Sequence, residues 1–426
     1  MESVNPHTRT RTKNQKILRR RSRSSPLTTK LWCGGSFGVG VKREEIKNLK
    51  KAAGRILKAI KNKEKIILYG DADLDGTVSV IILKETIKNL GGQVAVVYFP
   101  DREEEGYGIN KEALDYLKDY APALFVVLDC GIGNFAEVKL AKKIGFEIII
   151  IDHHEILGKL PSASIIIDPK QKGDNYPFKD FAAAGLTYKL SQILFGKKMT
   201  DALNNDFLEL AALATIADMM PRVGENKDLI KKGLSTLENT FRPGLRVFRH
   251  IYEDGSFLSQ IVPKIISVLN IGNNQNHLTQ SYLLLTASDE KAVKKMALGL
   301  LEKGEERKQR IREITGEAEE RVANKLEDPI FFEGDNSWSL IFLGSIASRI
   351  CNRYKKPVFL FRKGEKESPG TVRTPPGIDG VKAMIACSKF LETYGGHPQA
   401  GGFRVKNENL GKFKKCLIKY FKPRYS

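Results

Sequence analysis

Along residues 42–169, short apolar runs alternate with stretches of helical periodicity. Ile46, Leu49, Ala53, Leu57 and Ile60 recur at three- and four-residue spacing and predict a lead-in helix. Strand-sized apolar runs follow at 66–69, 94–99, 124–128 and 148–151, with a short fifth at 165–167. A helical stretch at 77–90, ended by Gly91-Gly92, separates the first two. This alternation predicts βαβ units, and hence an α/β domain with a mostly parallel sheet flanked by helices. Residues 182–290 read as mainly helical, with Leu208, Ala211, Ala212, Thr215 and Ile216 at helical spacing. A long amphipathic stretch then carries Val293, Met296, Ala297, Leu300, Leu301, Ile311, Ile314, Ala318 and Val322 on one face. It reads as a connecting helix. After Pro329 a smaller α/β unit is expected, with strands at 339–342 and 357–361, helices at 345–354 and 380–390, and a glycine-rich segment at 394–403. The resulting division is 1–42, 43–288, 289–327 and 328–426; no internal repeat is visible.

Composition narrows the class. Of 426 residues, 41% are hydrophobic and 28% charged, which suits a soluble chain with a sizeable core. No apolar run approaches the ~18 residues of a membrane helix. The net charge of +20 favours polyanionic partners, nucleic acid or an anionic membrane surface. Residues 1–42 hold many Arg, Lys, Ser and Thr without periodicity and read as a disordered basic arm. The five cysteines, Cys33, Cys130, Cys351, Cys387 and Cys416, form no Cys-x-x-Cys pair. That spacing argues against a disulfide scaffold or a zinc ribbon and fits a reducing compartment, the cytoplasm.

Four of the expected strands run into an aspartate: Asp71 with Asp73 and Asp75 close behind, Asp129, Asp152, and Asp168. In a parallel sheet their carboxyl ends share one edge, where open α/β sheets bind ligands. Any single Asp-x-Asp at such a place is often only a helix cap, and Asp168-Pro169 reads as a turn. The conjunction with the adjacent pair His153-His154 is more telling, since the chain has only six histidines. Converging carboxylates repel unless cations neutralise them. Such an oxygen-rich set suits Mn²⁺ or Mg²⁺, and a pair of ions can activate water against a phosphoester.

The segments Asp71-Ala72-Asp73-Leu74-Asp75-Gly76, Asp129-Cys130-Gly131, Asp152-His153-His154 and Ala214-Thr215-Ile216-Ala217-Asp218 resemble, in order, four motifs of the DHH phosphoesterases. Pro100-Asp101-Arg102 with Gly106-Tyr107-Gly108 resembles a segment of the RecJ branch, and Gly395-Gly396-His397-Pro398-Gln399-Ala400-Gly401-Gly402-Phe403 the signature of the associated C-terminal domain. The resemblance covers about residues 45–405. It implies that Asp73 and Asp129, with Asp71, hold one of two ions, and that Asp75, Asp129, His153 and Asp218 hold the other. It implies that His154 stabilises the scissile phosphate beside Asp129, that Arg102 and Tyr107 line the nucleic-acid path, and that His397 with the amides around Gly395 and Gly396 binds phosphate. Arg373 is implied to help hold the strand's 5′ end.

The expected activity is a two-metal exonuclease on single strands, DNA before RNA, releasing mononucleotides 5′→3′ in repair and recombination. Replication or repair proteins are expected partners, membranes are not, and the chain is expected to be a monomer. Two departures weaken the carry-over of 5′-end recognition. Residues 268–274 lack the arginines that the family carries there, and Val372 replaces a glycine before Arg373. The chain ends soon after the associated domain, so the OB-fold module of longer RecJ proteins is expected to be missing. An oligonucleotide or cyclic-dinucleotide phosphodiesterase of the nanoRNase-like branch is the rival reading, and a non-catalytic scaffold a third.

Overall fold

The computed structural model describes residues 45–422 apart from 103, 253–257, 272–273 and 324; the basic arm at 1–42 lies outside the described residues. The first half is built on five parallel strands: β1 (Ile66–Gly70), β2 (Val96–Tyr98), β3 (Ala123–Leu128), β4 (Phe146–Ile151) and β5 (Ile165–Ile167), in the order β2-β1-β3-β4-β5. Each expected apolar run matches one of these strands to within two residues at either end. The central ones are buried on both faces, as near-continuous Ile, Leu and Val runs require. Alternate residues serve opposite layers. Leu68, Val126 and Ile149 pack with helices α1 (Leu49–Lys61), α2 (Leu74–Asn89) and α5 (Ala183–Phe195). Ile67, Phe125 and Ile148 face the layer formed by α3 (Lys111–Leu117) and α4 (Phe135–Ile144). Leu57 of the expected lead-in face is instead 41% exposed.

The helical stretch contains α6 (Asp201–Ala217), α7 (Gly224–Leu237), α8 (Pro243–Ile251), α9 (Leu258–Leu269) and α10 (Gln280–Thr286). A two-residue hairpin, β6 (Asn274–Gln275) and β7 (Leu278–Thr279), sits between the last two. The connecting helix α11 spans Glu290–Ala323. No described helix is long and apolar enough to cross a membrane.

The C-terminal sheet has the order β11-β12-β10-β9-β8, with β8 (Phe331–Asp335), β9 (Val358–Arg362), β10 (Glu367–Arg373), β11 (Thr393–His397) and β12 (Ala400–Lys406). Three helices accompany it: α12 (Leu340–Tyr354), α13 (Gly380–Ala386) and α14 (Leu410–Phe421). The strand expected at 339–342 is a misreading. Those residues open α12, and the strand lies earlier, at β8. Three apolar residues in a row, Leu340-Ile341-Phe342, do not distinguish the two periods; Leu343, Ile346, Ala347 and Ile350 one turn later do, because together they form the buried face of a helix. The expected helix at 380–390 stops at Ala386, and a 3-10 turn covers Ser388–Phe390. Cys387 and Cys416 are joined by a disulfide with a Cα–Cα separation of 5.9 Å, a pairing that the expectation of a reducing compartment does not anticipate. Residues 29 apart in sequence carry no local sign of that pairing.

Candidate functional site

The parallel sheet places Asp71, Asp129, Asp152 and Asp168 just beyond the carboxyl ends of β1, β3, β4 and β5, along one edge. All four side chains are buried. Asp73 is the N-cap of α2: its Oδ1 accepts the N–H groups of Asp75 and Gly76 at 3.0 and 3.1 Å. The helix-cap reading and the site reading therefore both hold for this residue, because Oδ2 faces the other way, toward Arg102 at 3.0 Å. Asp75 is turned inward, and its two oxygens accept N–H from Ala183 and Ala184 at 2.7 and 2.9 Å. These are the opening amides of α5, so a helix N-terminus faces the carboxylate. Asp129 has a left-handed backbone, φ 63°, unusual for a residue with a Cβ and typical of strain kept at working sites.

His153 collects the acids. Its Nε2 lies 3.1 Å from Asp129 Oδ1, 3.5 Å from Asp218 Oδ2 and 3.7 Å from Asp75 Oδ2. Asp218 arrives from the end of α6, where it is the C-cap. Asp75, His153 and Asp218 form one group with ligand atoms within 4.8 Å of one another; Asp71, Asp73 and Asp129 form a second. Arg102 donates from Nε to Asp71 Oδ1 at 3.0 Å and pairs through Nη2 with both Asp71 and Asp73. Burial raises Asp71, while Arg102 holds Asp73 below its ordinary value against burial. Burial, then Asp73, raises Asp75 to about 7. Asp129 and Asp218 are pushed well up by burial and then by Asp75 and Asp73. Two buried polar atoms here have no hydrogen-bond partner, Asp218 Oδ2 and His153 Nδ1.

Asp152, which sequence reasoning placed in a motif without a task, organises both histidines. Its Oδ1 accepts the N–H groups of His153 and His154 at 2.7 and 3.2 Å and lies 2.7 Å from His154 Nδ1; its Oδ2 accepts the Ile132 N–H at 3.0 Å. Burial lowers the His154 pKa, but Asp152 overrides it and raises the imidazole to about 9. Burial, then His154, holds His153 far below the usual range. The Tyr107 hydroxyl reaches His154 at 3.3 Å and donates to the Asp129 carbonyl at 3.1 Å. Gly108 beside it has φ 83°, and a Cβ there would meet Asn134 Oδ1 at 2.5 Å.

From the C-terminal sheet, His397 stacks on His154 with centroids 5.0 Å apart. Its Nε2 is buried without a partner, and burial, then His154, lowers it to about 3. Gly395 and Gly396 belong to the β11–β12 hairpin, paired with Gly402 and Gly401 around a Pro398-Gln399 turn, rather than to an open loop. Gly396 has φ 119°, and a Cβ would meet the Ala400 carbonyl at 2.5 Å. Arg373 is not drawn into the cluster; it donates to Thr371 Oγ1 and the Val372 carbonyl of its own strand, both at 2.8 Å.

Two further features carry no signal in local sequence pattern. Asp168 does make the expected turn, accepting the Lys170 N–H at 2.8 Å, but its Oδ2 is buried without a partner. Burial, then Asp152, raises it to about 7. Asn270, in the segment that lacks the family's arginines, accepts the Leu74 N–H at 3.1 Å, and its carbonyl accepts from Arg307 of α11 at 2.8 Å. Gly272 and Asn273 of that segment lie outside the described residues.

Known proteins share this arrangement. Residues 65–215 match the DHH family N-terminal domain, and residues 321–422 match the DHHA1 domain. The chain is 32% identical over 376 residues to the single-stranded-DNA-specific exonuclease RecJ of Bacillus subtilis, covering 86% of this chain and 47% of that protein. With the RecJ of Thermus thermophilus it is 31% identical, covering 88% and 54%. The chain thus spans about half the length of the curated relatives it matches. A crystal structure of exonuclease RecJ bound to manganese superposes with a TM-score of 0.71 at 26% identity, covering 90% of this chain and 97% of that one. The Thermus thermophilus RecJ structure with Mn²⁺ gives 0.76 at 25%, covering 89% and 55%. Two domain matches in the family's order, over a parallel sheet whose edge gathers the motif aspartates and histidines, establish that this chain carries a DHH family N-terminal domain followed by a DHHA1 domain.

Proposed function

We propose that this chain is a metal-dependent phosphodiesterase acting as an exonuclease on single strands, taking DNA 5′→3′ and releasing mononucleotides in repair and recombination. One observation carries the reading: Asp75, Asp129 and Asp218, far apart in sequence, lie within 3.7 Å of one imidazole nitrogen of His153. Mutual repulsion of so many buried acids needs positive charge. Arg102 is the cation hydrogen-bonded to Asp71 and Asp73, while Asp218 Oδ2 and His153 Nδ1 are left without a hydrogen-bond partner. Hard oxygen donors with one imidazole fit Mn²⁺ or Mg²⁺.

Asp71, Asp73 and Asp129 would hold one ion; Asp75, Asp129, His153 and Asp218 would hold the other, with Asp129 shared. Such a pair, when bound, supplies an activated water and neutralises charge at the phosphoester. His154, kept protonated by Asp152 up to about pH 9, would donate to a phosphoryl oxygen as its charge grows. The Tyr107 hydroxyl lies 3.3 Å from that imidazole, and Tyr107 with Arg102 would line the strand's path. His397, uncharged at neutral pH, would approach the substrate phosphate from the hairpin that carries Gly395 and Gly396. Arg373 would meet the strand at a distance from the acids. The relatives named as single-stranded-DNA-specific exonucleases support the choice of DNA. A monomer in the cytoplasm, meeting repair or replication proteins, completes the reading.

A single-stranded 20-mer labelled at either end and incubated with Mn²⁺ tests it. Mononucleotides from the 5′ end are expected. An intact 20-mer beside rapid turnover of dinucleotides would replace the reading with an oligonucleotide phosphodiesterase.

A further inference from the structure

Helix α14 buries Phe413, Leu417 and Phe421 and exposes Lys412, Lys415 and Lys419 on its other side. The exposed three recur at three- and four-residue spacing, so they form one row. Across from them the 3-10 turn at Ser388–Phe390 carries exposed Lys389. Between the two walls runs an open groove of about 670 Å³, lined by these four lysines with Phe390 and Tyr420 and by no carboxylate. The Cys387–Cys416 disulfide ties one wall to the other.

On the connecting helix and its neighbour, surface cations are interleaved with acids. On α11, Lys308 pairs with Glu305 and Arg310 with Glu313, and Arg353 of α12 reaches Glu319. The four groove lysines pair with no carboxylate among the described residues. A row of like charges repels itself, and a polyanion relieves that repulsion while releasing its own counterions. Half-buried aromatic rings beside such a row offer surface on which bases stack.

We propose that this groove is a second binding site for single-stranded nucleic acid, separate from the carboxylate cluster. Its choice of ligand rests on the proposed function; its binding does not depend on hydrolysis. The turn that carries Lys389 and Phe390 leads directly into β11, whose far end is His397. Chain reach puts Phe390 no more than about 25 Å from His397. One strand can therefore occupy the groove and the site together, so the groove would hold substrate between cleavage events.

The test uses the full chain without divalent metal and a fluorescent single-stranded 20-mer, titrated at several salt concentrations. Replacing Lys412, Lys415 and Lys419 together by Gln is expected to weaken binding roughly tenfold and to reduce the log–log salt slope by about two, at ~0.7 per lost phosphate contact. The corresponding Lys→Arg triple variant keeps both values, and with Mn²⁺ the turnover of dinucleotides is unchanged in either variant. Unchanged affinity and slope in the Gln variant would overturn the proposal. So would loss of binding to an acidic peptide with 20-mer binding intact, which would make the groove a protein site. A wild-type chain that binds the 20-mer in this way but never cleaves it would refute the nuclease reading and leave the groove standing.

Discussion

Two buried clusters of acids stand in the first domain, and they are balanced differently. Between α2, α6 and α8, the Arg242 guanidinium forks onto both Asp206, from Nε at 2.8 Å, and Glu85, at 3.1 and 2.9 Å, and also donates to the Leu285 carbonyl at 2.7 Å. Every donor direction there meets a built acceptor, as a structural ion network requires. At the sheet edge, five carboxylates, Asp71, Asp73, Asp75, Asp129 and Asp218, share Arg102 and two histidines, and Asp218 Oδ2 and His153 Nδ1 are left without hydrogen-bond partners, against one such atom, Glu209 Oε2, beside the Arg242 network. Burial of charge alone does not mark a working site. A surplus of carboxylates over protein cations, aimed at one point, does.

The comparison can be broken at either cluster. Asp129→Ala removes the carboxylate proposed to be shared by both ions and is expected to lower nuclease turnover by about a thousandfold or more. Thermal unfolding without metal should be little changed or improved, since a repelled charge is gone. Arg242→Leu should do the reverse. It leaves Asp206 and Glu85 without their cation and is expected to cost about 3–5 kcal/mol in urea unfolding, with turnover of the remaining folded protein near normal. An Arg242→Leu chain as stable as wild type would erase the distinction drawn here.

Smaller effects sharpen it. Asp152→Asn keeps the N–H contacts but withdraws the charge that holds His154 protonated. Turnover is expected to fall about 10–100-fold, and activity should decline at lower pH than in wild type. An identical pH profile would detach His154 from the chemistry. Glu209, beside the Arg242 network, is raised to about 7 by burial. Its folded value lies above the unfolded value near 4.5, so the folded state binds the extra proton. Stability should then fall as pH rises from about 4.5 through 7 and level off above, by roughly 1–3 kcal/mol. Glu209→Gln should flatten that slope in urea unfolding at pH 5 and pH 8.

Much of the site is legible in the order of the amino acids alone. The apolar runs ending in Asp71, Asp129 and Asp152 are strand signals, and parallel pairing leaves their ends nowhere to go but one edge. Local pattern does not show that the amides of Ala183 and Ala184 hold Asp75, because that contact spans 108 residues and depends on how α5 packs. Nor does it give Asp152 its task, which depends on the turn that aims three donors at one oxygen. The misplaced strand at 339–342 fails for a local reason: three apolar residues in a row satisfy both periods. The Cys387–Cys416 bridge is likewise a product of packing, here of α14 against the turn after α13.

The central claim is that the surplus carboxylates exist to hold divalent cations. Calorimetric titration of the full chain with Mn²⁺, wild type beside Asp129→Ala, tests it most directly. The account predicts two ions per wild-type chain and a large loss of affinity in the variant, for at least one of them. No binding by the wild type, or binding that Asp129→Ala leaves unchanged, would contradict it.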